Sequence, residues 1–203
     1  MDVVGWAAQE SRARLAPIGD RWAHSRGVAV RADDIAWAVD VHDRDVLIAA
    51  AYLHDIGYAP ELEVHGFHPL DGALWLEAEG HHRLAGLVAH HTGAGFEAAA
   101  HRLTDALAAY DDERSAVSDA LAYCDLTTGP TGERVTATER LEEIERRYGA
   151  GSLVVRALED ASPALFTMVR RTEARLVRQP ILASEPAGTS WARKTSSRGP
   201  VTR

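Results

Sequence analysis

A single cysteine, Cys124, stands in this chain of 203 residues. No intramolecular disulfide is possible, which fits a reducing compartment such as the cytoplasm. Lysine is almost missing as well. Lys194 is the only one, so arginine carries nearly all the positive charge. That charge is outweighed, and the formal net charge of −8 argues against a protein that simply coats nucleic acid or an anionic membrane. Aromatic residues make up 6% of the chain, too few for the stacking platforms that a single strand needs. No apolar run approaches the length of a membrane span, and the N-terminus has no signal-peptide pattern. The expected location is therefore cytoplasmic, with neither a membrane nor a nucleic acid as partner.

What the chain does have is alanine, short β-branched runs, and apolar residues that recur at helical spacing. The pattern predicts helices over 4–15, 20–40, 43–57, 69–79, 82–91, 115–128, 137–148 and 152–177, with one or two short helical pieces between Gly93 and Asp112. Pro69 suits the first turn of a helix. Thr136 and Glu139 have capping-box spacing. Gly57, Gly80, Gly93 and Gly149 fall where helices should stop. There is no alternating strand pattern, so the expected fold class is all-α, a compact helical bundle over residues 1–178. From Gln179 to Arg203 the composition turns to Pro, Gly, Ser and Thr, which predicts a disordered tail.

Polar residues interrupt the apolar stripes at particular places. In "AAAYLHDIGY", His54 shares a helix face with Leu47, Ala50 and Ala51, and Asp55 with Ile48, Ala51 and Tyr52. His90 aligns with Gly86 and Leu87, His91 with Leu87 and Val88, Asp125 with Leu121 and Ala122, and His24 with Gly27 and Val28. His42, His65, His81, His82 and His101 lie at predicted ends and loops, where solvent serves them. A buried polar group is costly unless something pairs with it. Each of His24, His54, Asp55, His68, His90, His91 and Asp125 can be explained singly as a hydrogen-bonded core residue or a cap. A shared metal centre explains them together. Histidine nitrogens and carboxylate oxygens point to zinc, manganese, iron, nickel or cobalt.

The segments "RWAHSRGVAVRA", "YLHDIGY" and "ALAYCDLTTG" resemble the HD superfamily of metal-dependent phosphohydrolases, whose pattern is H…HD…D on a helical bundle. The resemblance covers about residues 15–130. "HPLDGA" and "AHHTG" resemble the further histidines of members with two metals, including the HD-GYP phosphodiesterases. The resemblance implies that His24, His54, Asp55 and Asp125 hold one ion. Asp55 would bridge, and His68, His90 and His91 would hold a second. No "GYP" follows the histidine pair, which reads "HHTGAGFEAAA" and argues against specific action on cyclic dinucleotides. Asp20 is either a further acidic ligand, as in some three-metal members, or an N-cap. "RxxH" at Arg21 resembles the phosphate-gripping step of HD nucleotidases; otherwise Arg21 is a solvated surface residue.

Two ions close together lower the pKa of a water between them and neutralise charge on a phosphoryl group. The expected activity is hydrolysis of a small, nucleotide-like phosphate mono- or diester, with Asp55, His54 and Arg21 as the catalytic residues. The loop after His91, which includes "GAGFEAAAHRL", is long enough to serve as a lid. Two rival readings keep the fold. Some HD proteins with four histidines and two aspartates bind two irons and use O₂ to cleave C–H or C–P bonds. A nucleotide-sensing module would keep the fold without catalysis, although it would have no need of the complete ligand set.

Overall fold

The computed structural model describes residues 2–178; the tail from Gln179 lies outside the described residues. Among the described residues there are ten α-helices and no strand. The all-α expectation holds. The centre is built from α2 (Arg21–Asp34), α3 (Arg44–Leu53), α4 (His68–Ala78), α5 (His82–Ala89) and α8 (Ala116–Leu126). Helix α1 (Val3–Leu15) packs across α3. The long α10 (Leu153–Val177) packs along α8 and against α6 (Ala94–His101). Val28, Leu47, Leu53, Ile56, Phe67, Leu121 and Leu165 are fully buried between them.

Helix ends follow local chemistry. The Asp2 carboxylate accepts the Gly5 N–H at the start of α1. Thr136 and Glu139 form a reciprocal capping box on α9 (Ala137–Tyr148), and Ser115 with Ser118 does the same on α8. Asp20 sits at the N-cap position of α2 but accepts no capping hydrogen bond there.

Three boundaries differ from the sequence expectation, and each shapes the site. The helix expected over 20–40 stops at Asp34, where two successive aspartates meet the negative end of the helix dipole. The helix expected over 43–57 stops at Leu53, so that His54 is its C-cap and Asp55 starts a 3₁₀ turn at Ile56–Tyr58. Gly57 lets that turn lie against the start of α4. A Cβ there would stand 2.0 Å from the His68 carbonyl oxygen and 2.5 Å from the Gly72 nitrogen. The helix expected over 82–91 stops at Ala89, and Thr92 takes up a left-handed backbone with φ 42° and ψ 49°. The segment after His91, expected to hold one or two short helical pieces, forms α6 and α7 (Thr104–Leu107), with α6 docked on α10. Its alanine-rich sequence favours helix over open loop.

Candidate metal centre

His24 projects from the first turns of α2, and His54 and Asp55 from the end of α3. His68 opens α4, His91 follows α5, and Asp125 lies in the last turn of α8. These six side chains converge at one place in the interior. Donor atoms of His24, His54 and Asp55 lie within 4.8 Å of one another, and so do those of Asp55, His68 and His91. Asp55 belongs to both sets. Its Oδ1 is 3.6 Å from His54 Nε2 and 3.5 Å from His68 Nε2. Asp125 completes the first set, with Oδ1 3.1 Å from His24 Nε2 and 3.9 Å from His54 Nε2.

Backbone carbonyls aim three of the imidazoles. A carbonyl only accepts, so the ring nitrogen facing it carries the hydrogen. His24 Nδ1 donates to Gly129 O at 3.0 Å, His54 Nδ1 to Ala51 O at 2.8 Å, and His91 Nδ1 to Val88 O at 2.6 Å. Each Nε2 is thereby left to face the cluster, the arrangement that metal-ligating histidines use. The clearest sign that a cation fits is His54. It is 0% exposed, and its Nε2 has no hydrogen-bond partner. A lone pair stranded in the interior is expensive without a partner. Across the cluster, His68 Nε2 and His91 Nε2 face each other at 3.3 Å. Two neutral imidazole nitrogens repel at that distance unless a proton or a cation stands between them.

The electrostatics agree with a site shaped for positive charge. Burial alone would raise the pKa of Asp55, but His54, Arg21, His68 and His24 outweigh it and hold the carboxyl far below the usual range. Burial opposes ionisation of Asp125 as well, and the hydrogen bond from His24 overrides it. Burial pushes the His54 and His68 pKa values down, so both imidazoles stay neutral ligands. At His24 burial acts in the same direction, but the bond to Asp125 wins and the pKa rises.

His90 is not part of this cluster. The backbone leaves the helix at Ala89, and the strained turn at Thr92 swings His91 inward. His90 turns outward, where its Nε2 pairs with the Tyr110 carbonyl oxygen at 2.9 Å. The expectation that both histidines serve one ion assumed a continuous helix. Arg21 is not simply a solvated residue. Its Nη1 donates to Asp55 Oδ2 at 3.0 Å, its Nη2 to Tyr148 Oη at 3.3 Å, and its guanidinium lies 3.6 Å above the Tyr58 ring.

Several residues at the site were not singled out from the sequence. Tyr58 stacks on His68, with ring centroids 3.9 Å apart. Thr92 Oγ1 donates to Asp125 Oδ2 at 2.6 Å, which leaves Oδ1 for His24. Arg140, Ile144, Arg147 and Tyr148 on α9, with Val154 and Leu158 on α10, form the far wall. The signal for that wall was the spacing of Arg140, Ile144 and Arg147, which puts them on one helix face. The enclosure thus comes from α9 and α10 together with Thr92, Gly93 and Glu97 of the segment after His91.

In comparisons with known proteins, the family described as HD domain matches residues 21–127. No curated protein and no solved structure gives a match. The matched segment runs from Arg21 to Thr127 and so contains all six converging ligand candidates. Among the described residues, no helix is long and apolar enough to cross a membrane.

Proposed function

This chain belongs to the HD-domain family, and from that premise we propose that it is a metal-dependent phosphohydrolase that cleaves a small, nucleotide-like phosphate ester. The observation that carries the reading is Asp55, shared by two donor sets on its inner side and gripped by Arg21 on its outer side. His24, His54, Asp55 and Asp125 would hold one divalent transition-metal ion, and Asp55, His68 and His91 a second. Such ions, when bound, supply an acidified water and positive charge for phosphoryl oxygens.

The remaining work falls to the chain's own groups. Arg21 has five N–H donors; one goes to Asp55 and one to Tyr148, which leaves others for phosphate oxygens. Tyr58 holds that guanidinium from one side and the His68 ring from the other. Thr92 fixes the rotation of Asp125. Ile144, Val154 and Leu158 give the organic part of the ester an apolar wall that sheds water. The test is release of orthophosphate from a panel of small phosphomonoesters and diesters, with manganese, iron, zinc, nickel or cobalt supplied in turn. Turnover with at least one metal and one ester is expected; none with any pair would contradict the reading.

One observation favours a second reading. With His90 turned away, the cluster holds four histidines and two aspartates, the set that the sequence resemblance links to di-iron oxygenases. Mössbauer spectra of protein purified without oxygen separate the two. A mixed-valent di-iron signal that changes on exposure to O₂, with no phosphatase activity, would favour the oxygenase.

A further inference from the structure

Helix α9 lies beyond the matched HD segment, yet it brings two arginines to the metal cluster. Arg140 and Arg147 line the cleft over the cluster, together with Arg21, and the same three line the adjoining cleft between α2 and α9. Arg140 is 6% exposed, its Nε is buried without a hydrogen-bond partner, and its Nη2 stands 4.0 Å from Asp125 Oδ1. That distance is too long for a hydrogen bond. Its one close partner is Glu143. Arg147 grips the same carboxylate with two nitrogens, Nε to Oε1 at 2.8 Å and Nη2 to Oε2 at 2.6 Å. Two guanidiniums therefore share one carboxylate. Among the described residues no other carboxylate lies within ion-pair distance of Arg147, and Arg140 reaches only Asp125 besides Glu143. The clefts' other carboxylates are Glu97, Asp20 at the exposed rim, and Asp55 and Asp125 of the cluster.

A buried guanidinium with an idle donor, paired with a second arginine over a single shared carboxylate, is built to receive an anion. We infer that Arg140 and Arg147 form a second anion subsite beside the cluster, which takes a second anionic group of the substrate, phosphoryl or carboxylate, bonded close to the reacting phosphoryl group. The closeness follows from Arg140, which stands one contact away from Asp125. The inference rests on the phosphohydrolase reading and adds that the preferred ester is doubly anionic.

The test is calorimetric titration of the full-length protein, loaded with the metal it is purified with, at fixed ionic strength. Methylphosphonate is the single-anion probe; methylenediphosphonate and phosphonoacetate carry a second phosphoryl or carboxylate group. At least one two-anion probe should bind about tenfold more tightly than methylphosphonate. Arg147→Gln and Arg140→Gln should each reduce that preference to about twofold, while methylphosphonate affinity and metal content stay within about twofold of wild type. Which probe shows the preference identifies the second group. If Arg140→Gln does not fold, the half-exposed Arg147 carries the test alone. Simple chelation by the ions would leave the preference intact in Arg147→Gln, and that result overturns the inference, as does equal binding of all three probes by wild type. Failure of wild type to bind any of the three probes, with metal content intact, would count against the phosphohydrolase reading itself.

Discussion

His68 and His91 hold their Nε2 atoms 3.3 Å apart, from the opening of α4 and the turn after α5. Two nitrogens each about 2.1 Å from one ion would sit at such a separation. The protein is expected to carry close to two transition-metal ions per chain, and His68→Ala and His91→Ala about one each. Elemental analysis of purified protein reads this directly. Two ions retained in His91→Ala would place the second site elsewhere.

Asp55→Ala should remove hydrolysis and lower metal content while circular dichroism keeps its helical signal. The side chain is the one donor common to both sets, and its loss also frees Arg21 from its partner. Activity within about tenfold of wild type, a loss of roughly 1.4 kcal/mol, is far too little for a shared ligand.

His90→Ala should leave metal content and kcat unchanged. It removes only the bond to the Tyr110 carbonyl, and the cost to stability is about 1 kcal/mol. Thermal unfolding and elemental analysis on one preparation check both halves. Loss of an ion in this variant would put His90 back among the ligands.

Metal-free protein should lose stability as the pH falls below about 6.5. Burial lowers the His54 and His68 pKa values, so the unfolded chain takes up protons that the folded chain refuses. His24 works the other way. Asp125 outweighs burial and raises its pKa above 6.5, so its stabilisation is complete below 6.5 and fades as the pH rises through the raised value. Below 6.5 His24 therefore adds no slope, and His54 and His68 make it run downward toward acid. Asp55 and Asp125 are held below 3.8; their contribution persists above that value and disappears beneath it. Tm of chelator-treated protein at pH 5 should be below that at pH 6.5. An equal or higher Tm at pH 5 would contradict this account of the cluster.

Much of the site was legible because its ligands sit on core-facing stripes. His24, His54, Asp55 and Asp125 interrupt apolar faces at helical spacing, and such groups need a common partner. His90 shows where that logic stops. Periodicity carried the helix through both histidines, but Thr92 adopts a left-handed backbone, and one turn of non-helical chain sends neighbouring side chains to opposite sides. No helical offset could mark Tyr58 either, since it sits in a 3₁₀ turn admitted by Gly57. Arg140 and Arg147 were hidden for another reason. In isolation "ERLEEIERRY" is a charged surface helix, and only its docking against α8 and α10 turns one face toward the cluster.

The most direct measurement is orthophosphate release from one small phosphate ester, followed as metal is returned to stripped protein in measured equivalents. The account predicts almost no activity without metal, a rise that levels off near two equivalents per chain, and a flat line for Asp55→Ala. Hydrolysis that survives stripping, or that stays absent with every ester and every metal while two ions bind, would contradict it.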